Sequence, residues 1–383
     1  MSDMKSIGFV LKQHIKSYVQ NHMLPKVYKK AVAHTKVDKN KVIFAEMHSN
    51  TLPNSMMAVY DELKASGKDI TLYVRDIKDM SWPESISFMK SFMKDYAAAG
   101  YVYICSYFLP VSSCKKRDET KVIQLWHSGG LLKKMGYDTL DDIPKAYKGN
   151  VTANYDLVTV SAPICVNYWK KALHLPAGIT KPLGLPRTDI YFDKKWQAKC
   201  KVRFEKIYPE AKGKRVVLYA PSFSGNAASP KAPGLEMGLD KEFAKLDDVY
   251  LIVRPHPLMR SVYPKYFDKR YKEISTDKLL PAIDVLVTDY SSILFDYSVY
   301  KKPFVMFCPD IKEYERSRGF YADPRSFPAP FVTKKDELLK CIEDKGYLEK
   351  CTDEELEKFY QTYMGSCDGK ATKRLIREVE RMK

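Results

Sequence analysis

Apolar runs of four to seven residues recur along the chain, and most are followed by a polar turn and then a stretch with helical spacing. In the first half these runs are Lys41–Ala45, Ile70–Val74, Tyr101–Tyr107, Val122–Trp126, Leu157–Val160 and Pro182–Leu185, with a helical pattern over Pro163–Leu173. In the second half they are 216–220, 249–253, 285–288 and 304–307. Continuous apolar strands that alternate with helices predict parallel sheets covered by helices on both faces. The fold class is therefore α/β, built as two consecutive units. A basic helical segment is expected over 1–36, the first unit over 37–190 and a charged linker over 191–213. The second unit follows over 214–350 and a C-terminal helix over 351–383, with no repeat or low-complexity tract.

A length of 383 residues suits two domains of ordinary size. A 45% hydrophobic content excludes disorder of the whole chain. Lys and Arg number 64 against 47 Asp and Glu, a formal charge of +17. That balance suits nucleic acid, an anionic membrane face or a polyanionic substrate, and no nucleic-acid-binding motif is present. The eight cysteines form no CxxC pair, which argues against zinc ribbons and for a reducing compartment. No apolar run approaches the roughly 20 residues that span a bilayer, and the N-terminus lacks the apolar core of a signal peptide. It does intersperse Phe9, Val10, Ile15 and Val19 with Lys5, Lys12 and Lys16, before Lys26, Lys29 and Lys30. Such a segment either lies on an anionic leaflet or packs on the first unit as a surface helix.

In doubly wound sheets, ligands sit beyond the C-terminal strand ends, so the turns after each strand carry the candidate chemistry. The turn D-Y-S-S follows Thr288: Ser291 and Ser292 can cap the next helix and donate to a phosphate, while Asp289 either holds the turn or meets a ligand hydroxyl. In R-P-H-P (254–257), Arg254 can clamp a phosphate, and His256, between prolines, can donate to a pyrophosphate or protonate a leaving group. In H-S-G-G (127–130), His127 can serve as base on an acceptor hydroxyl, and Gly129 and Gly130 admit a close-lying substrate, with Lys133 and Lys134 adding charge. Arg187, in G-L-P-R-T-D, either reaches a phosphate or pairs with Asp189 or Asp193. Ser222 lies in A-P-S-F-S-G-N, and the loop over 227–238 after it has the composition of a mobile substrate flap. There is no P-loop, no G-x-G-x-x-G and no D-x-D pair. Phosphate binding is thus expected to rest on Arg, His, Ser and helix N-termini, with no cofactor and no metal.

Five blocks carry a family likeness. They are W-H (126–127) followed by Leu131, Lys133, Gly136 and Asp138 in L-x-K-x-x-G-x-D, G-x-P-R-x-D (184–189), L-Y-A-P (218–221), T-D-Y-S-S-x-x-F-D-Y (288–297) and R-G-F-Y (318–321). Together they resemble the CDP-glycerol glycerophosphotransferase family, the teichoic acid primases and polymerases, over roughly residues 40–345. The resemblance implies a GT-B-like pair of Rossmann-type domains facing a cleft. It implies transfer of glycerol phosphate or ribitol phosphate from CDP-glycerol or CDP-ribitol to a hydroxyl, with release of CMP. The acceptor would be a teichoic-acid-like or capsular polymer, or a lipid-linked acceptor, reached peripherally at the cytoplasmic face of the bacterial membrane. In that family reading His127 is the base and His256 contacts the donor pyrophosphate. Asp289, Ser291 and Ser292 match the family's donor site, and Arg187, Ser222, Arg254, Thr288, Asp296 and Arg318 are further expected substrate contacts. Departures occur where H-S-G-G replaces H-G-T-P, A-P-S-F-S-G-N replaces A-P-T-W-R-D and P-A-P (328–330) replaces P-G-P, and these leave the alditol and acceptor open. The alternatives are a GT-B glycosyltransferase using a sugar nucleotide and a non-catalytic polyanion-binding protein.

Overall fold

The computed structural model describes residues 15–139, 142–143, 149–226 and 229–382, so Lys5, Phe9, Val10 and Lys12 lie outside the described residues. The first unit holds β1 (Asp38–Glu46), β2 (Asp69–Val74), β3 (Ala99–Ile104), β4 (Lys121–Gln124), β5 (Leu157–Thr159) and β6 (Thr180–Lys181). They form an all-parallel sheet in the order β2-β1-β3-β4-β5-β6. The second unit holds β7 (Arg215–Ala220), β8 (Ser224–Asn226), β9 (Ser229–Lys231), β10 (Val249–Val253), β11 (Val285–Thr288), β12 (Phe304–Phe307) and β13 (Phe331–Val332). Here the parallel order is β10-β7-β11-β12-β13, with β8 and β9 as a separate antiparallel hairpin. β11 and β12 are buried throughout, which is why they read as unbroken apolar runs rather than alternating ones.

Both sheets reverse their winding beside their first strand. β1 lies between β2 and β3, and β7 lies between β10 and β11. At such a point the connections diverge to opposite sides, and a crevice opens beyond the strand ends. The first crevice receives Glu46 and Cys105, and the second receives Ser222 and Asp289.

Several elements differ from the sequence expectation. The charged stretch expected as a linker contains a 14-residue helix, Lys194–Ile207, capped by Asp193, which accepts from the N–H of Lys195 at 2.8 Å. It buries Cys200 and Phe204, and Phe204 joins the second unit's core. The last strand of the first unit is Thr180–Lys181 rather than the adjoining Pro182–Leu185. β3 and β4 stop at Ile104 and Gln124, short of Tyr107 and Trp126. The expected flap is partly packed: β9 pairs with β8, and the turn Pro233–Glu236 buries Leu235, while residues 227–228 lie outside the described residues. The C-terminal segment is two helices. Asp353–Met364 stacks Phe359 on Phe295 of the second unit, whereas Ala371–Arg381 returns to the first unit and buries Leu375 and Val379 beside Val42 and Phe44.

The basic segment near the N-terminus forms a helix over Leu24–Val32. Its apolar stripe is spent inside the protein: Leu24 and Tyr28 are buried, Tyr28 lies 5.2 Å from Tyr96, and its hydroxyl accepts from the N–H of Arg117 at 3.0 Å. Lys26, Lys29 and Lys30 face solvent. All eight cysteines are free and most are buried, packing as small hydrophobes.

Candidate active site

The first-unit edge is shaped by a strained residue. Trp126 is buried and has φ +55, a left-handed conformation that a bulky side chain rarely adopts. It is held there by its N–H, which donates to the Gln124 amide oxygen at 2.9 Å, and by edge contacts with Tyr107 and Trp169. The turn so made presents His127 beyond β4, its ring stacked on Trp126. His127 Nδ1 lies 3.0 Å from the carbonyl oxygen of Cys105. A carbonyl only accepts, so Nδ1 carries the proton and Nε2 is left as a free acceptor. Crowding by protein lowers the His127 pKa, the Cys105 carbonyl opposes this, and Arg187 and Lys133 lower it further.

Behind His127 lies a carboxylate that the sequence reading passed over. Glu46, at the end of β1, is buried and accepts from the N–H groups of Met47 and His48, both at 2.9 Å, from Ser106 Oγ at 2.6 Å and from Cys105 Sγ at 3.1 Å. His48 Nδ1 sits 2.7 Å from it. Burial pushes Glu46 up, but the bonds from His48, Ser106 and Cys105 outweigh it and hold the carboxyl at about 2. Glu46 therefore ties the end of β1 to the residues after β3, including the one whose carbonyl orients His127. The available signal was E-M-H at the C-terminal end of the first strand.

The second-unit edge mirrors this construction. Asp289, after β11, accepts the N–H of Ser222, after β7, with both oxygens at 2.8 and 2.9 Å. Asp289 is thus the staple of the second crevice. Burial pushes it up to about 7, against the pull of the Ser222 bond and of Lys133. His256 follows β10, and its Nδ1 accepts from the N–H of Leu258 at 3.3 Å. A backbone N–H only donates, so the Nε2 of neutral His256 carries the proton. Burial, then Lys133 and His127, lower its pKa to about 4, so it is neutral at pH 7. Lys133 acts on the charge of His127, His256 and Asp289, and His127 on that of His256, so groups from both units share one electrostatic environment.

Other candidates have different employment. Arg254 is buried: its Nη2 donates to Tyr208 Oη at 2.7 Å and to the Arg270 carbonyl, over the Tyr271 ring, and so braces its own unit, while Nη1 is buried without a hydrogen-bond partner. Thr288 is fully buried, and its hydroxyl donates to the Ala220 carbonyl at 2.7 Å, pinning β11 to β7. Arg187 pairs with neither Asp189 nor Asp193 but with Asp296, at 2.8 Å, in a mostly buried ion pair between the units. Asp189 instead accepts the N–H groups of Ala371 and Thr372 at the start of the last helix. Arg318 donates to Asp142 at 2.7 Å and to the Lys134 carbonyl at 3.0 Å, also across the units. Ser291 and Ser292 are half-buried before the helix Ile293–Ser298, and neither hydroxyl caps it in the regular way. Gly130, at φ +69, admits not a substrate but the Phe295 ring, which a Cβ there would meet at 2.2 Å.

A cavity of about 600 Å³ opens at the opposite end of the second sheet, between Tyr208, Lys214, Asp284 and Lys302, and holds none of these residues. Among the described residues no group of three or more His, Cys, Asp and Glu is arranged to hold a metal ion.

Comparison with known proteins identifies the family and the fold. Residues 27–381 match the family described as CDP-Glycerol:Poly(glycerophosphate) glycerophosphotransferase. A teichoic acid ribitol-phosphate primase of Bacillus spizizenii is 31% identical over 369 residues, 91% of this chain and 92% of that protein. A teichoic acid glycerol-phosphate primase of Bacillus subtilis is 32% identical over 227 residues, 56% of this chain and 57% of its own. In fold, the solved structure of the wall teichoic acid polymerase TagF superposes with a TM-score of 0.71 at 20% identity, covering 99% of this chain and 97% of that one. The chain belongs to the CDP-glycerol glycerophosphotransferase family.

Proposed function

We propose that this protein transfers an alditol phosphate from a CDP-alditol to a hydroxyl of a teichoic-acid-type acceptor and releases CMP. The observation that carries the reading is the pair of neutral histidines with opposite tautomers. His127 offers a free acceptor nitrogen and His256 a free N–H donor into one cleft, from opposite units. The acceptor hydroxyl gives its proton to His127 Nε2 as its oxygen bonds to the alditol-bearing phosphorus. The phosphorus–oxygen bond to CMP breaks, and His256 donates to the pyrophosphate oxygens as charge moves onto the departing CMP.

Ribitol phosphate is the unit this reading favours, because the ribitol-phosphate primase matches along nearly all of both chains whereas the glycerol-phosphate primase matches over little more than half. No helix among the described residues is long and apolar enough to cross a membrane. The reading places the enzyme peripherally at the cytoplasmic face, with a lipid-linked or polymeric acceptor, and needs no bound metal, since side-chain donors serve the phosphates.

A donor screen tests this. CMP release is expected from CDP-ribitol, and more slowly from CDP-glycerol, in the presence of a teichoic acid acceptor and with EDTA present. Product mass should rise by whole alditol-phosphate units. Turnover of UDP- or GDP-sugars without turnover of either CDP-alditol would overturn the reading.

A further inference from the structure

The donor half of the cleft needs a cation, and the three arginines that the sequence offers for it each have protein partners, with Arg254 Nη1 and Arg187 Nε buried without one. Arg254 is buried among Tyr208, Arg270 and Tyr271, Arg187 is paired with Asp296, and Arg318 is paired with Asp142. Lys133 is different: among the described residues its ammonium has neither an ion-pair nor a hydrogen-bond partner.

The backbone fixes where Lys133 stands. It belongs to the first unit, but its segment is laced into the second. Lys133 forms a β-bridge with Phe320, the Leu132 carbonyl accepts from Tyr321 at 2.7 Å, and the Lys134 N–H donates to the Gly319 carbonyl at 3.1 Å. Phe320 packs on Tyr290, the second residue of the D-Y-S-S turn, at 5.2 Å. The first-unit lysine is therefore carried onto the second unit's phosphate turn. Arg318, Asp289, Asp142, His256 and His127 all face it.

From this placement we propose that Lys133 is the cation that binds the diphosphate of the nucleotide donor, a residue supplied to the donor site by the opposite unit. The inference rests on the CDP-alditol reading for the identity of the nucleotide, but not for the diphosphate. In the free protein burial, then Arg318, hold the ammonium down to about 8. A diphosphate placed beside it restores charge balance. Affinity should accordingly fall as pH rises through that value, when the empty site loses its proton, beyond the smaller decline that ionisation of Asp289 at about 7 brings in both wild type and variant.

Calorimetric titration with CDP, and in parallel with UDP, between pH 6.5 and 9.5 tests the assignment. Wild-type affinity is expected to fall above about pH 8. Lys133→Met should weaken CDP on the order of 10- to 100-fold at pH 7, from loss of a charged hydrogen bond, and flatten the alkaline decline. Lys133→Arg should keep affinity and move the decline beyond the range tested. Unchanged CDP affinity in a Lys133→Met protein of normal melting temperature would overturn the assignment, as would a wild-type affinity that is flat with pH. A wild type that binds UDP in preference to CDP would sink the donor reading alone, and the same variants with UDP would still judge Lys133.

Discussion

At the scale of single residues, the chemistry turns on which histidine nitrogen is left free. The Cys105 carbonyl fixes the proton of His127 on Nδ1, and the lowered pKa keeps the ring neutral and basic. His127→Ala should therefore reduce CMP release on the order of 10²- to 10⁴-fold, with CDP binding nearly unchanged by titration. A loss confined to binding would contradict the base assignment. The sign of the pH dependence follows: the acidic limb of kcat/KM is shifted to the acid side of an ordinary histidine, because burial makes His127 protonate at lower pH. Both histidines were legible in the sequence because each stands at a strand end beside a turn residue. Glu46 was not, since a buried carboxylate at the end of an apolar strand leaves no periodic trace and its partners Cys105 and Ser106 are some sixty positions away.

At the scale of elements, the sequence blocks that looked like ligand contacts are largely fasteners between the two units. Gly130 of H-S-G-G receives Phe295 of F-D-Y, Arg187 of G-L-P-R-T-D receives Asp296 of the same block, and R-G-F-Y docks on the segment around Lys133. Tyr321 adds a 2.6 Å bond to Asp138. Motif spacing shows that residues matter together but not whether they meet a ligand or each other, and Arg254, Thr288 and Arg187 are all held by partners within the protein. Of the second unit's strands, β7, β10, β11 and β12 were legible almost to the residue because they are long, apolar and largely buried, whereas β8, β9 and β13, only two or three residues each, were not. The helix Lys194–Ile207 was not, because its charged face dominates a short amphipathic stripe. Gly130→Ala offers a direct measure of fastening. It combines a positive φ with a 2.2 Å clash against Phe295, whereas Gly67→Ala has a positive φ and open space. Thermal unfolding should show a loss of about 2–5 kcal/mol for the first and about 1 kcal/mol for the second. Equal losses would mean that Phe295 simply moves aside.

At the scale of the whole molecule, the charge of +17 and the solvent-facing Lys26, Lys29 and Lys30 suit the anionic acceptor and membrane face proposed above. Each lysine near an anionic bilayer contributes about 1 kcal/mol, so changing all three to Gln should weaken sedimentation with phosphatidylglycerol vesicles on the order of 100-fold. Binding by the wild type should fall with added salt. If the triple variant partitions like the wild type, the docking surface lies elsewhere.

The return of Ala371–Arg381 to the first unit bears on how the chain is made. A ribosome releases the residues of the first sheet long before it releases Leu375 and Val379, yet those two side chains cover Val42, Phe44 and Tyr103. Met56, Val59 and Leu63 of the helix Asn54–Ala65 cover part of that face early, but the rest stays open and apolar until Ala371–Arg381 emerges. The first domain to be synthesised is thus the last to be sealed, and a nascent chain that has emerged as far as residue 365 would carry a packed second unit beside a first one still open along Val42 and Phe44, exposed to aggregation or chaperone capture.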